Sequence, residues 1–273
     1  MVFRRRASFT ATRGVLSLRG KARLAAAGLA ALVPVLAHAA GYTFGNVVNP
    51  ADPTFNQALG INNSGVISGY YGSGADAAHP NQGYTLVPPN SFTSENFPGS
   101  VQTQVVAINN AGDTAGFYVD AGGNTHGFVK VGGTFTTIDN PGGTFNQLLG
   151  LNSLGTAAGY YQNSMNTQFA YTVTNLTSAP KFTAVPDLPS NTSAQATGVN
   201  NAGIIVGFYV ASGSGNTYGY IVNPNTNAFT ALLFPGSTST QALGENNFGV
   251  VVGDYVDSGG NTHGFIYSGG SFA

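Results

Sequence analysis

Two carboxylates stand in slots that the chain otherwise fills with apolar side chains. Glu245 takes a position held by Ile61, Ile108, Leu151 and Val199 in four related stretches, and Asp254 takes one held by Tyr70, Phe117, Tyr160 and Phe208. A carboxylate in such a slot is costly unless it is hydrated or paired. The two could face a wet central channel. They could form the acid and base couple that glycoside hydrolysis needs, or they could mark a terminal repeat that is simply less buried. Two loops, DAGGN at 120–124 and DSGGN at 257–261, offer oxygen at alternate positions. That pattern makes Asp120, Asn124, Asp257 and Asn261 candidate Ca²⁺ ligands. Each loop has one carboxylate and no closing Glu, so an Asp-capped tight turn explains it as well. After residue 40 the histidines are His79, His126 and His263. Zinc would need them to converge from separate repeats. The chain has no G-x-S-x-G with partners, no phosphate-cradling Gly-Lys-Ser/Thr loop and no H-E-x-x-H. It has no cysteine, which excludes disulfides and thiolate chemistry. No cofactor is expected.

The elements that position these residues are repeats. Residues 57–71 read QALGINNSGVISGYY, and the stretch recurs from Gln104, Gln147, Gln195 and Gln241, at spacings of 47, 43, 48 and 46 residues. Self-similarity at this period is the signature of a repeat architecture. Four short β-like runs follow in each copy; in the second they cover residues 104–109, 114–119, 126–131 and 134–138. Asn-Asn-x-Gly joins the first two runs in four copies and supplies residues that tolerate positive φ. Gly132-Gly133 is a two-residue hairpin signal, and Pro50, Pro98, Pro141, Pro189 and Pro235 fall in the connections, where a missing N–H costs no ladder bond. No useful helical period appears after residue 40.

Four antiparallel strands repeated radially is the design of a propeller blade. The expected fold is therefore all-β, a β-propeller-like ring of about five four-stranded blades, with repeats near 42–90, 91–133, 134–180, 181–227 and 228–273. Tyr42-Thr43-Phe44 matches the fourth run of each unit, so pairing of residues 42–47 with residues 264–267 is expected to close the ring and remove two open edges. An open solenoid and a longer array cut short are the alternatives.

His126-Gly127-Phe128 and His263-Gly264-Phe265, with the Gly-Gly-Asn loops before them, resemble the HAF-type extracellular repeat of bacteria, named for a His-Ala-Phe signature. The resemblance spans roughly residues 42–270. Gln82, Phe169 and Tyr218 take the histidine slot in the other units. It implies a secreted, propeller-like repeat protein and brings no catalytic residues.

Residues repeated in every unit are expected to serve the unit's own fold. The Gln57 series should bond a neighbouring blade through its amides. The Gly69 series should mark places where a backbone or ring crowds in. The Tyr71 series should wedge between blades, with sugar stacking as the alternative role.

Charge divides sharply along the chain. Seven of the nine basic residues lie within the first 23, leaving Lys130 and Lys181 against ten acidic residues, a net of −8. Such a body cannot neutralise a run of phosphates or bind an anionic membrane surface, which excludes nucleic acid as a partner. Residues 1–39 have the layout of a signal peptide: a basic start, the apolar run LAAAGLAALVPVL at 24–36 and the small-x-small site Ala37-His38-Ala39. The run is too short to span a bilayer comfortably. Arg5-Arg6 hints at twin-arginine export; an uncleaved anchor is the alternative. A secreted or periplasmic location follows, with residues 40–273 as one repeat domain.

The expected function is a non-catalytic binding or scaffold module with extracellular carbohydrate or a cell-surface component as its partner. Absence of Trp speaks against sugar. The alternatives are a glycan hydrolase using Glu245 and Asp254, and a purely structural envelope protein.

Overall fold

The computed structural model describes residues 2–4, 43–186 and 188–273. The chain divides after Val47 into two compact units. In the first, the described structure is one antiparallel pair, β1 (Val2–Arg4) with β2 (Thr43–Gly45), Phe3 opposite Phe44. The rest of the expected signal peptide lies outside the described residues. Among the described residues no helix is long and apolar enough to cross a membrane.

The second unit is all-β. Its first meander is β3 (Asn56–Ile61), β4 (Ile67–Tyr71), β5 (Gln82–Val87) and β6 (Ser91–Ser94). The second is β7 (Gln102–Ile108), β8 (Thr114–Val119), β9 (Thr125–Val131) and β10 (Thr134–Thr137). The third is β11 (Phe145–Leu151), β12 (Ala157–Gln162), β13 (Gln168–Thr174) and β14 (Lys181–Ala184). The fourth is β15 (Asn191–Val199), β16 (Ile205–Ala211), β17 (Thr217–Asn223) and β18 (Ala228–Leu232). The fifth is β19 (Ser239–Glu245), β20 (Val251–Val256), β21 (Thr262–Ser268) and β22 (Ser271–Phe272). Each is a four-stranded antiparallel sheet; a single parallel bridge, Thr217 with Ser239, joins the fourth to the fifth.

One strand-pair device repeats five times. A bulge skips Leu59, Val106, Leu149, Thr197 and Leu243 in the first strands. Bulges re-aim the side chains that follow them, here Ile61, Ile108, Leu151, Val199 and Glu245. Opposite the bulge lies the Gly69 series. A Cβ at Gly69, Gly116, Gly159, Gly207 or Gly253 would collide with the carbonyl oxygen of Gln57, Gln104, Gln147, Gln195 or Gln241 respectively. At Gly69, Gly207 and Gly253 it would also meet the third strand's ring, Tyr84, Tyr220 or Phe265, within 3 Å. Both crowding agents expected from the sequence are therefore present.

The core lies in slabs between successive sheets. One slab joins Ala107, Ala115, Val129 and Ile138 of the second unit to Leu148, Ala157, Tyr171 and Val173 of the third. Equivalent slabs join the third unit to the fourth and the fourth to the fifth. Each first strand packs on the inner strands of the sheet before it: β7 on β4 and β5, β11 on β8 and β9, β15 on β12 and β13, β19 on β16 and β17. No comparable packing joins β3 to β20 or β21. Lys130 adds an ion pair from the second unit to the buried carboxylate of Glu95, Nζ to Oε2 at 2.7 Å.

The expected closing strand is corrected. Gly269 and Gly270, at φ 59° and 83°, turn the chain back so that Ser271–Phe272 pairs with Tyr267 and Ser268. Ile266 and Ala273 then exchange backbone hydrogen bonds at 2.8 Å. The last sheet thus takes its fourth strand from its own C-terminus, while Thr43–Gly45 pairs with Val2–Arg4 in place of residues 264–267.

Candidate functional site

The first hairpins of all five units meet at one end of the fold. Their turns follow from sequence: Asn62, Asn109, Asn152, Asn200 and Asn246 each accept, through Oδ1, the N–H groups two and four residues on. Gly65, Gly112, Gly155, Gly203 and Gly249 then take φ between 73° and 85°, the left-handed region that glycine enters at no steric cost. The same amides also link the units. Asn62 Nδ2 donates to the Asn109 carbonyl, Asn109 to Asn152, Asn152 to Asn200 and Asn200 to Asn246, at 2.9–3.4 Å. A second relay runs beside it. The N–H groups of Asn63, Asn110, Ser153 and Asn201 donate to the side chains of Asn110, Ser153, Asn201 and Asn247.

These turns enclose a cavity of about 290 Å³, walled by Ile108, Leu151 and Val199 and by Glu245. Glu245 Oε2 accepts from Asn200 Nδ2 at 3.0 Å, while Oε1 is buried without a hydrogen-bond partner. Burial pushes the carboxyl up to about 8. Asp254 does not join it. Glu245 pairs with Val251, three residues from Asp254 along β20, a separation of roughly 10 Å. An odd step on a strand also reverses the face. The carboxyl of Asp254 is raised by burial on its own side of the sheet.

The Gly-Gly-Asn loops lie at the opposite end. Asp120 Oδ1 accepts the N–H groups of Gly122 and Asn124 at 2.8 Å, and Asp257 Oδ1 those of Gly259 and Asn261 at 2.8 and 2.9 Å. Asn124 and Asn261 donate their own amides to these carboxylates. Hydrogen bonds from Asn124 bring the Asp120 carboxyl down to about 2, and a bond to His263 leads the lowering at Asp257. The four candidate cation ligands cap their own turns. Among the described residues no group of three or more His, Cys, Asp or Glu is placed to hold a metal ion. His126 lies between Asp139 (2.6 Å) and Asp120 (3.3 Å). Burial lowers its pKa, but the two carboxylates outweigh that and raise it.

Beside these loops the second to fifth units stack their aromatic series. In the second unit Phe97 lies flat on Tyr118, with centroids 3.8 Å apart and planes at 4°, and touches Phe128 and Phe135 edge-on or tilted. In the fifth, Phe234 lies on Tyr255 at 3.7 Å and 2° and meets Phe272. Both phenylalanines precede Pro-Gly in a connection, and each N–H donates to a threonine six residues on, Thr103 or Thr240. Asn140 holds the same place in the third unit. It precedes Pro141-Gly142, and its N–H donates to Asn146 at 2.8 Å.

With Asn140 in place of phenylalanine, the backbone of Gly142 and Gly143 closes on the Tyr161 ring, so that a Cβ on either would fall 2.8 Å from it. A cavity of about 500 Å³, the socket, is lined by Asn140, Tyr161, Phe169, Tyr171 and Phe182. These correspond one for one to Phe97, Tyr118, His126, Phe128 and Phe135 of the second unit. Gln168 and Asn191 add amides, and Val185 and Leu188 form the wall toward the fourth unit. Phe169 stacks on Tyr161 at 5.1 Å and 20° and is 39% exposed. Gln168 Oε1 accepts from Ser193 and Gln195 of the fourth unit, and Asn140 Oδ1 accepts from Gly142. The N–H groups of these two amides have no partner among the described residues. Tyr84 and Tyr220 donate to the carbonyls of Gln57 and Gln195, but the hydroxyl of Tyr171, in the same slot, is buried with no partner. Among the described residues the lining carries no carboxylate and no imidazole.

Sequence reading singled out Glu245, which does line a cavity, and missed the socket. The signal was present, because Asn140 replaces the phenylalanine that precedes Pro-Gly at 97 and 234. Two members of the Gln57 series bond to the preceding unit, Gln104 to Asn81 and Gln195 to Gln168, through side chains in place of the expected backbone groups.

No protein-family profile and no curated protein matches the chain. Among solved structures it is similar to a mutant of AofleA from Arthrobotrys oligospora, at 12% identity and TM-score 0.48, covering 80% of this chain and 70% of that one. It is similar to the fungal Aleuria aurantia lectin, described as a six-bladed β-propeller with a novel fucose recognition mode, at 12% identity and TM-score 0.48, covering 79% and 77%. It is also similar to the β-propeller domain of the Trilobed protease from Pyrococcus furiosus, described as having an open velcro topology, at 6% identity and TM-score 0.41, covering 80% and 97%. At 12% identity or less and TM-scores below 0.5, these likenesses assign no ligand to this chain.

Proposed function

We propose that the protein is a non-catalytic carbohydrate-binding module that takes a sugar ring into the cavity around Phe169 on its third sheet. The observation that carries the proposal is the Phe169 ring, 39% exposed in a cavity that also presents the Asn140 and Gln168 amides. An aromatic face of this kind can cover the apolar face of a sugar ring. The Asn140 and Gln168 amides then favour a hydroxylated ring over a hydrocarbon one. A volume of about 500 Å³ lies in the range of small-molecule sites, which are mostly apolar with a few placed polar groups.

The five sheets are read as the blades of one propeller-like ring. The relay of asparagines from the first to the fifth turn and their shared cavity support this. Export, with loss of residues 1–39, and membership of the HAF-type repeats rest on the sequence patterns. A glycan array with the chain from residue 40 onward tests the binding. Binding to a defined sugar that is lost in Phe169→Ala and kept in Phe248→Ala is expected. No binding to any sugar, or equal loss in both variants, would remove the proposal.

A further inference from the structure

The cavity at the hairpin end is a second site, distinct from the socket. Its slot is aliphatic in four units and carries a carboxyl in one. Ile108, Leu151 and Val199 are buried around it, and Phe248, 92% exposed, stands at its rim. The asparagine relay satisfies the backbone carbonyls that surround the mouth, so they are not free to ligate a bare metal ion. What remains unsatisfied is one oxygen, Glu245 Oε1, buried and without a partner. A buried carboxylate short of partners is costly, and a cation held against the same carboxyl from the cavity offsets that cost.

We infer that this cavity binds a small organic ammonium ion, its N–H groups on Glu245 and its short aliphatic body against Ile108, Leu151 and Val199. A charged donor suits the carboxyl better than a neutral one, because charge-assisted hydrogen bonds are the stronger class. The aliphatic walls suit a carbon chain rather than a hydrated inorganic cation. The volume of about 290 Å³ holds only a small body. Glu245 is the one titratable group in the lining. Its carboxyl is pushed up by burial, so binding of the cation at neutral pH ionises it and releases a proton.

The probe is n-butylammonium, titrated by calorimetry at constant ionic strength in two buffers of different ionisation enthalpy. 1-Butanol and sodium chloride run as parallel arms. Saturable binding with proton release is expected, with 1-butanol at least tenfold weaker and sodium without effect. Glu245→Gln should weaken butylammonium at least tenfold. Glu245→Val, which restores the residue of the fourth unit, should do the same while keeping the fold. Equal affinity in either variant, equal binding of 1-butanol, or no binding of butylammonium to the unaltered protein would overturn the inference. Sugar binding at the socket is read separately and does not depend on it.

Discussion

The two ends of the repeat use the same scaffold in opposite ways. At the hairpin end every unit makes the same asparagine turn and hands an amide to the next. At the connection end the units differ: phenylalanine stacks on the tyrosine in two of them, and in the third Asn140 leaves Tyr161 to the Gly142–Gly143 backbone. Repetition builds the structure, because a buried polar group needs a partner in every copy. Departure from repetition changes the lining, because in a close-packed interior a missing ring is answered by whatever can move in. Glu245 is the exception that proves useful, one departure within the uniform end.

The largest effect should come from the repeated positions. Gly207→Ala places a Cβ against the Gln195 carbonyl and the Tyr220 ring, and overpacking of this kind costs about 3 kcal/mol. Urea unfolding should show it; a change within error would mean that the strand can shift and that the Gly series is not needed for close approach.

Asn152→Ala should follow. It strips partners from the Leu154 and Thr156 N–H groups and from the Asn200 carbonyl, at a cost of about 2 kcal/mol. Asn63→Ala, at the exposed head of the second relay, should cost less than about 0.5 kcal/mol. Equal costs would show that the relay adds nothing beyond a surface turn.

Glu245 gives a pH signature. Its folded-state pKa of about 8 lies above the 4.5 of an ordinary glutamate. The unfolded chain therefore releases its proton first, and this group lowers stability as pH rises from about 4.5 to about 8, then no further. Glu245→Gln should remove that slope, so the two proteins differ more in unfolding midpoint at pH 8.5 than at pH 4. Parallel pH profiles would place the carboxyl in water.

A small stability effect also belongs to Phe169→Ala. Its ring is partly exposed and stacks only on Tyr161, so a loss below about 1 kcal/mol is expected while sugar binding disappears.

Much of the scaffold was legible in the chain. In the second unit the expected runs at 114–119 and 126–131 match β8 and β9 to within one residue, because alternation and turn residues act locally. The Asn-Asn-x-Gly turns formed for the same reason. Closure was not legible. Whether Tyr42–Val47 or Ser271–Phe272 completes the last sheet is a competition between a distant segment and an adjacent one. The Gly269-Gly270 turn favours the adjacent strand with little loop to close. Similarly, Glu245 and Asp254 look like a pair on paper, but the strand register sends them to opposite faces. The socket needed three-dimensional contacts, since nothing in Asn140 itself announces an absent ring.

Asn140→Phe tests the central claim most directly. It rebuilds the Phe-Pro-Gly connection found at 97–99 and 234–236. Burying the ring contributes about 2 kcal/mol, against about 1 kcal/mol for the lost Asn140 to Gly142 hydrogen bond. The variant should unfold at the same or a higher urea concentration and lose sugar binding in calorimetry. A variant that binds sugar as the unaltered protein does would contradict the socket as the site.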